Sequence, residues 1–137
     1  MPISALPSPY GIGTLGDAAY AFADFLHDAG QRYWQVLPLG PTSYGDSPYQ
    51  SFSSFAGNPY FIDLTKLIEK GLLTQAEVDA VDWGEDPAKI DYGKIYNGRY
   101  PLLRKAFERG FSKARSCTRS LEKPRSKAFR SRGYRPL

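Results

Sequence analysis

Phe22, Phe25, Leu26 and Ala29 stand at i, i+3, i+4 and i+7, the spacing that lays apolar side chains along one face of an α-helix. Asp17 follows Gly16 as a candidate N-cap and Gly30 supplies a stop, so a helix is expected from Asp17 to about Ala29. The period then changes. Tyr33 to Leu37 alternates, with Trp34 and Val36 on one face and Pro38 closing the run, which predicts a short strand. Tyr60 to Leu64 reads as a second, brief extended segment, and Thr65 as the cap of a short helix ending at Gly71. Thr74-Gln75-Ala76-Glu77 fits a capping box opening a helix through roughly Val81. Asp91 caps the last expected helix, whose Ile95, Leu102, Leu103 and Ala106 face inward; Pro101 is expected to kink or break it.

A helix leading directly into a strand looks like half of a βαβ unit, which points to the α/β class. The strand that should precede it is nearly absent. Only Met1-Pro2-Ile3 stands ahead of a loop at residues 3–15 punctuated by Pro7, Pro9, Gly11 and Gly13. A parallel partner for Tyr33–Leu37 must therefore come from elsewhere, or has been lost. There are no internal repeats, and no helical or strand period survives beyond Phe111.

Composition refines this picture. A chain of 137 residues with 42% hydrophobic and 23% charged residues suffices for one modest globular domain. No apolar run is long enough for a transmembrane helix, and residues 1–11 lack the basic and apolar regions of a signal peptide. A single cysteine, Cys117, excludes an internal disulfide framework. A cytoplasmic protein is expected. The formal net charge of +4 is unevenly spread. Residues 1–109 hold 9 Lys and Arg against 13 Asp and Glu, whereas residues 110–137 hold 9 Lys and Arg against Glu122 alone. The acidic body and the Arg/Ser-rich tail thus differ in kind, and the tail's composition is that of a disordered segment.

Between Arg32 and Leu64 eight rings (Tyr33, Trp34, Tyr44, Tyr49, Phe52, Phe55, Tyr60 and Phe61) are interleaved with Ser, Thr, Asn and Gln. No Lys or Arg occurs between Arg32 and Lys66. That mixture suits a polyhydroxylated ligand, which offers a C–H face for stacking and an edge of hydroxyls for hydrogen bonding. Gly40, Pro41, Gly45 and Pro48 would hold the loop stiff, so Tyr44 and Tyr49 are candidates for contact with a ligand. Of the two carboxylates here, Asp63 suits helix capping, and Asp46 either an Asx-turn or a sugar contact.

Other chemistries fare poorly. The only histidine, His27, lies beside Asp28 in a helix and reads as a surface residue. Gly11, Gly13 and Gly16 form G-x-G-x-x-G, but with no preceding strand the dinucleotide reading fails. No metal-ligand cluster and no nucleophilic triad has a credible context. Retaining glycosyl transfer needs two carboxylates about 5 Å apart, and neither Asp46 nor Asp63 looks like half of such a pair.

The string WQVLPLGPTSYGDSPYQSFSSFAGNPYFIDL closely resembles the amylomaltases, or 4-α-glucanotransferases, and ISALPSPYGIGTLG and DYGKIYNGRYPLLRKAF resemble their flanking segments. The resemblance runs from about Ile3 to Phe111. It implies the N-terminal part of a TIM-type (β/α)₈ barrel, incomplete in this chain, acting on maltooligosaccharides and other α-1,4-glucans without metal or organic cofactor. It further implies that Ser47 and Tyr49 line the active-site cleft beside Asp46, and that Tyr44 and Tyr96 belong to a secondary glucan-binding groove. The family's catalytic Asp and Glu residues correspond to nothing here, so the chain alone is expected to be inactive. Two segments follow: 1–111, the barrel fragment, and 112–137, a basic tail expected to be disordered or the product of a frameshift. Two other functions compete with an incomplete transferase. One is a noncatalytic glucan-binding module. The other is a nucleic-acid binder working through the tail, a reading disfavoured because the charge appears where the resemblance stops; neither nucleic acid nor membrane is an expected partner.

Overall fold

The computed structural model describes residues 1–42, 47–53, 55–86 and 89–118, with side chains described through residue 114. Four α-helices occur in it: α1 (Asp17–Asp28), α2 (Leu64–Glu69), α3 (Gln75–Asp79) and α4 (Tyr92–Thr118). Short 3₁₀ turns at Ile3–Ala5 and Pro59–Phe61 complete the regular structure.

The helix ends follow local chemistry. Gly16, not the expected Asp17, is the N-cap of α1, and no side chain caps it; Asp17 stands in the first turn, where its charge suits the helix dipole. Gly30 adopts φ 72° after the last turn, a backbone that favours glycine. At α3 the capping box is complete: the Glu77 N–H donates to Thr74 Oγ1, and the Thr74 N–H donates to Glu77 Oε2 at 3.0 Å. The Lys94 N–H donates to Asp91 Oδ1 at 3.0 Å, so Asp91 caps α4 as its sequence suggests.

Further sequence expectations are corrected. Thr65 does not cap α2; Asp63 does, as its own capping reading expected, its carboxylate accepting the Lys66 N–H at 2.9 Å. Tyr60–Leu64 is not extended: Asn58 accepts the Tyr60 N–H and winds Pro59–Phe61 into a 3₁₀ turn. Pro101 does not break α4. Its ring denies a partner only to the Asn97 carbonyl, and both residues are exposed, so water can serve that group. Finally, α4 runs past Phe111 to Thr118. Lys113 Nζ donates to the Gly71 carbonyl at 3.1 Å, and extending a helix already packed costs little once its nucleus exists.

The expected strand at Tyr33–Leu37 has no ladder. Trp34 and Val36 do share a face, packed with Phe22 and Ala18 against Ile3, Leu6 and Ala19. Residues 32–38 nevertheless make no backbone hydrogen bond among the described residues, and a strand exists only by pairing. The one bridge present is isolated, Thr42 with Ser51.

Two further clusters make the main core. Tyr10, Leu64, Leu73, Val78, Leu102 and Ala106 form one, and Ile12, Tyr60 and Ile95 the other. α4 supplies residues to both, and the loop at residues 3–15 lies across it. That loop approaches its neighbours so closely that a Cβ on Gly13 would overlap the backbone of Ile3 and Leu6. A Cβ on Gly16 would overlap the Asp63 carboxylate. The G-x-G-x-x-G glycines are thus packing residues.

Candidate functional site

The loop from Leu39 to Asn58 is closed at its base. The Asn58 N–H donates to the Leu39 carbonyl at 2.8 Å, Thr42 bridges to Ser51, and Gly40 lies against the Ser51 side chain. Asn58 is buried, and its side chain holds the turn that follows. From this base residues 47–50 form a turn. The Gln50 N–H donates to the Ser47 carbonyl at 3.1 Å, and Ser47 Oγ accepts weakly from the Tyr49 N–H at 3.4 Å. Ser47 is half-buried and Tyr49 is 74% exposed, so the turn presents a ring and a hydroxyl outward. Phe52 and Phe55 are also exposed. A hollow of 130 Å³ lies beneath the loop, walled by Ile3, Leu39, Pro48, Asn58, Tyr60 and Tyr92.

Tyr44 and Asp46 lie outside the described residues. Tyr96 is on a different element, α4, where its ring is 4.9 Å from that of Tyr100. Tyr100 in turn meets Tyr60, at 5.9 Å, at the foot of the loop. The tyrosines therefore form a chain of contacts leading from the loop base to α4. Trp34, by contrast, is structural: its Nε1–H donates to the Met1 carbonyl at 2.8 Å, and its ring meets Phe22 edge-on at 4.9 Å.

Asp63 is committed to holding the chain together. Besides capping α2 it accepts the Thr14 hydroxyl at 2.5 Å, tying the N-terminal loop to the start of α2. A neighbouring bond, Leu15 N–H to the Phe61 carbonyl at 2.9 Å, does the same. Beneath this corner lies Arg99, fully buried. It donates to the carbonyls of Ile62 at 2.5 Å and Tyr10 at 3.4 Å, while its Nε has no partner. Burial lowers its guanidinium to about 10, opposed by the nearby Asp63 charge, so it stays cationic at neutral pH.

Arg99 is the residue that sequence reasoning missed. The signal was present: Ile95, Arg99, Leu102 and Ala106 stand at i, i+4, i+7 and i+11, placing an arginine on the buried stripe.

The carboxylates whose ionisation is clearly shifted are shifted downward. Arg109 holds Glu77 at about 2, and Lys94 lowers Asp82. A general acid for glycosyl transfer needs the opposite shift. Among the described residues no group of three His, Cys, Asp or Glu could hold a metal ion, and no helix is long and apolar enough to cross a membrane. A larger cleft of 650 Å³ lies between the loop at residues 4–13 and residues 83–86, and it contains none of the expected site residues.

The loop's described part, exposed rings with no cationic side chain, is mounted on a helical corner. Comparison with known proteins then gives the family. The family model for 4-alpha-glucanotransferase matches residues 1–135, and the chain belongs to that family. It is 60% identical over 111 residues to the 4-alpha-glucanotransferase of Streptococcus pneumoniae, covering 81% of this chain and 22% of that protein. With the Thermus thermophilus 4-alpha-glucanotransferase it is 52% identical over 129 residues, 94% of this chain and 24% of the relative. Among solved structures, an amylomaltase from Streptococcus agalactiae in complex with acarbose superposes with a TM-score of 0.80 at 45% identity, over 88% of this chain and 24% of that one. The chain thus spans under a quarter of the length of these relatives. The family match at residues 1–135 also continues through the basic segment, beyond the point where the recognised motifs end.

Proposed function

We propose that this chain is one wall of the glucan-binding cleft of a 4-α-glucanotransferase, the N-terminal part of a TIM-type (β/α)₈ barrel, and that by itself it transfers no glucan. The observation that carries this is the Ser47–Tyr49 turn, held at its base by Asn58 and Thr42 and presenting an exposed ring beside a hydroxyl. A pyranose stacks its C–H face on such a ring while its hydroxyls meet short polar side chains. Ser47 and Tyr49 contact glucan in the cleft, a role the family resemblance extends to Asp46; Tyr44 and Tyr96 serve glucan farther out. In the complete enzyme an α-1,4-glucan is cleaved with retention through a glucosyl-enzyme intermediate and passed to another sugar's 4-hydroxyl. The acid and nucleophile for that step are assigned to no residue of this chain: Asp63 is used as a helix cap, and Glu77 and Asp82 are paired with Arg109 and Lys94. No metal or organic cofactor enters the scheme.

The test is direct. Titrating the chain with maltoheptaose, followed by calorimetry or ligand-observed NMR, should show saturable binding that Tyr49→Ala weakens about five- to tenfold. Incubation with maltotriose should yield no disproportionation products. Turnover by the purified chain would overturn the claim of silence, and absence of any saturable binding would overturn the assignment of the turn.

A further inference from the structure

Helix α4 carries two apolar stripes. The one through Ile95, Leu102 and Ala106 is buried in the core. The other runs through Leu103, Phe107, Gly110 and Ala114, at i, i+4, i+7 and i+11, with Phe111 beside it. With Leu72 these residues wall an open groove of about 410 Å³. Phe107 is 69% exposed and Phe111 53%, and their rings stack with centroids 5.8 Å apart. Large rings grouped on an open apolar groove mark a surface that gains by being covered. Gly110 is the second observation. It lies inside α4, and a Cβ there would meet nothing nearer than Leu72 at 3.7 Å, an ordinary contact. Neither the backbone nor the packing of the chain calls for glycine at this point, and glycine weakens a helix interior relative to alanine. What its missing side chain does provide is a socket one turn from the Phe107 ring.

We propose that this face is the contact between two copies of the chain, joined α4 to α4 in antiparallel fashion about a two-fold axis. The occupant follows from charge and shape. Along the outer edge of the groove Arg104 pairs with Glu108, Nε to Oε1, at 3.5 Å. A two-fold axis passing near Phe107 and Glu108 brings Arg104 of each copy within one helical turn of Glu108 of the other, so the edge is complementary to itself. The same symmetry sets Phe111 against the second copy's Leu103 and drops Phe107 toward its Gly110 socket, a large side chain into a space left by a small one. An antiparallel pair also parts the C-terminal ends of α4, and with them the strongly basic end of the sequence, which a parallel pair would set side by side. Because the contact is isologous, each interaction is made twice, which suits a small patch to a weak, reversible dimer. None of these residues belongs to the proposed sugar surface, and the dimer does not depend on that reading.

Analytical ultracentrifugation of the full chain tests this. It should be monomeric at about 1 μM and largely dimeric at about 100 μM. Gly110→Ala is the discriminating variant, because its two effects run in opposite directions. Alanine favours the helix and has room, so the melting midpoint of the dilute monomer should rise by about 4 °C. The added methyl occupies the socket, so dimerisation should weaken by about tenfold or more. Phe107→Ser should abolish the dimer while leaving the dilute chain's melting midpoint within about 2 °C, its ring being mostly exposed already. Charge reversal tests the orientation. Arg104→Glu and Glu108→Arg should each weaken association about tenfold, and the two together should restore it to within about threefold. A chain that stays monomeric throughout, or a dimer that Gly110→Ala leaves intact, overturns the proposal. So does failure of the double reversal to restore association. A monomer whose groove instead takes up an apolar dye, with Phe107→Ser abolishing that uptake, would also overturn it, by giving the groove a different occupant.

Discussion

The corner built by α2, α3 and α4 and the stretch from α1 through residue 56 come from one short chain, yet they are held in different ways. In the corner each helix start has a side-chain cap, and Arg109 clamps Glu77 through two 2.7 Å bonds. Arg99 and Asp63 stitch the N-terminal loop beneath it. In the other stretch seven consecutive residues make no backbone hydrogen bond among the described residues, and large rings face outward. The difference teaches where stabilising contacts originate. Helices satisfy their backbones locally and need only one packed face. A strand's backbone is satisfied only by a neighbour, and this segment's neighbours are not among the described residues.

The comparison breaks most visibly at Arg99. Replacing it with alanine removes a fully buried side chain and strands the Tyr10 and Ile62 carbonyls. The expected loss is about 3–5 kcal/mol, read by urea unfolding. A loss below about 1 kcal/mol would show that the corner is not held through this residue. Trp34→Ala on the other side forfeits one edge-on ring contact and one exposed hydrogen bond. With the ring only half-buried, it should cost about 1–2 kcal/mol. If the two losses were equal, the contrast between the regions would collapse.

Both sides were partly readable in the sequence, for different physical reasons. The Thr74 capping box, the Asp91 cap and the Gly30 stop depend on residues three or four apart, so short motifs reported them correctly. Trp34 and Val36 were placed on the correct shared face, because side-chain alternation is also local. Whether that strand pairs is a long-range matter, and the sequence was silent on it. Asp63 was legible for the same local reason: the sequence reading gave it a capping role, which it fills at α2, whereas its reach to Thr14, forty-nine residues away, appears only in three dimensions. Arg99 was overlooked because arginine is presumed exposed, although its position on the buried stripe announced otherwise. Of the site, the sequence singled out the loop that bears Ser47 and Tyr49. The closure of its base through Thr42, Ser51 and Asn58 appears only in three dimensions.

Smaller effects sharpen the contrast within the corner. Thr74→Ala deletes the box's hydroxyl and should cost about 1 kcal/mol. Acid should act on the same place. Glu77 sits at about 2 when folded against an ordinary 4.5, chiefly because Arg109 hydrogen-bonds to its charged form. Its contribution to stability is present above pH 4.5 and disappears as pH falls toward 2. Denaturant midpoints measured across that window should therefore drop on acidification, and Arg109→Gln should flatten the slope. An unchanged slope in that variant would assign the acid sensitivity to other carboxylates.

The smallest expected effect is the most specific to the open region. Phe55 is 100% exposed and touches no core cluster. Its ring already lies in water, so Phe55→Ser forfeits no burial and should move the unfolding free energy by no more than about 0.5 kcal/mol. The backbone bonds around it do not use the ring either: the Phe55 and Ala56 N–H groups donate to Ser53 Oγ. Urea unfolding of the isolated chain measures this. A loss well above that figure would mean that residue 55 is buried in solution, and that the outward presentation of this loop's rings, on which the proposed sugar surface depends, is wrong.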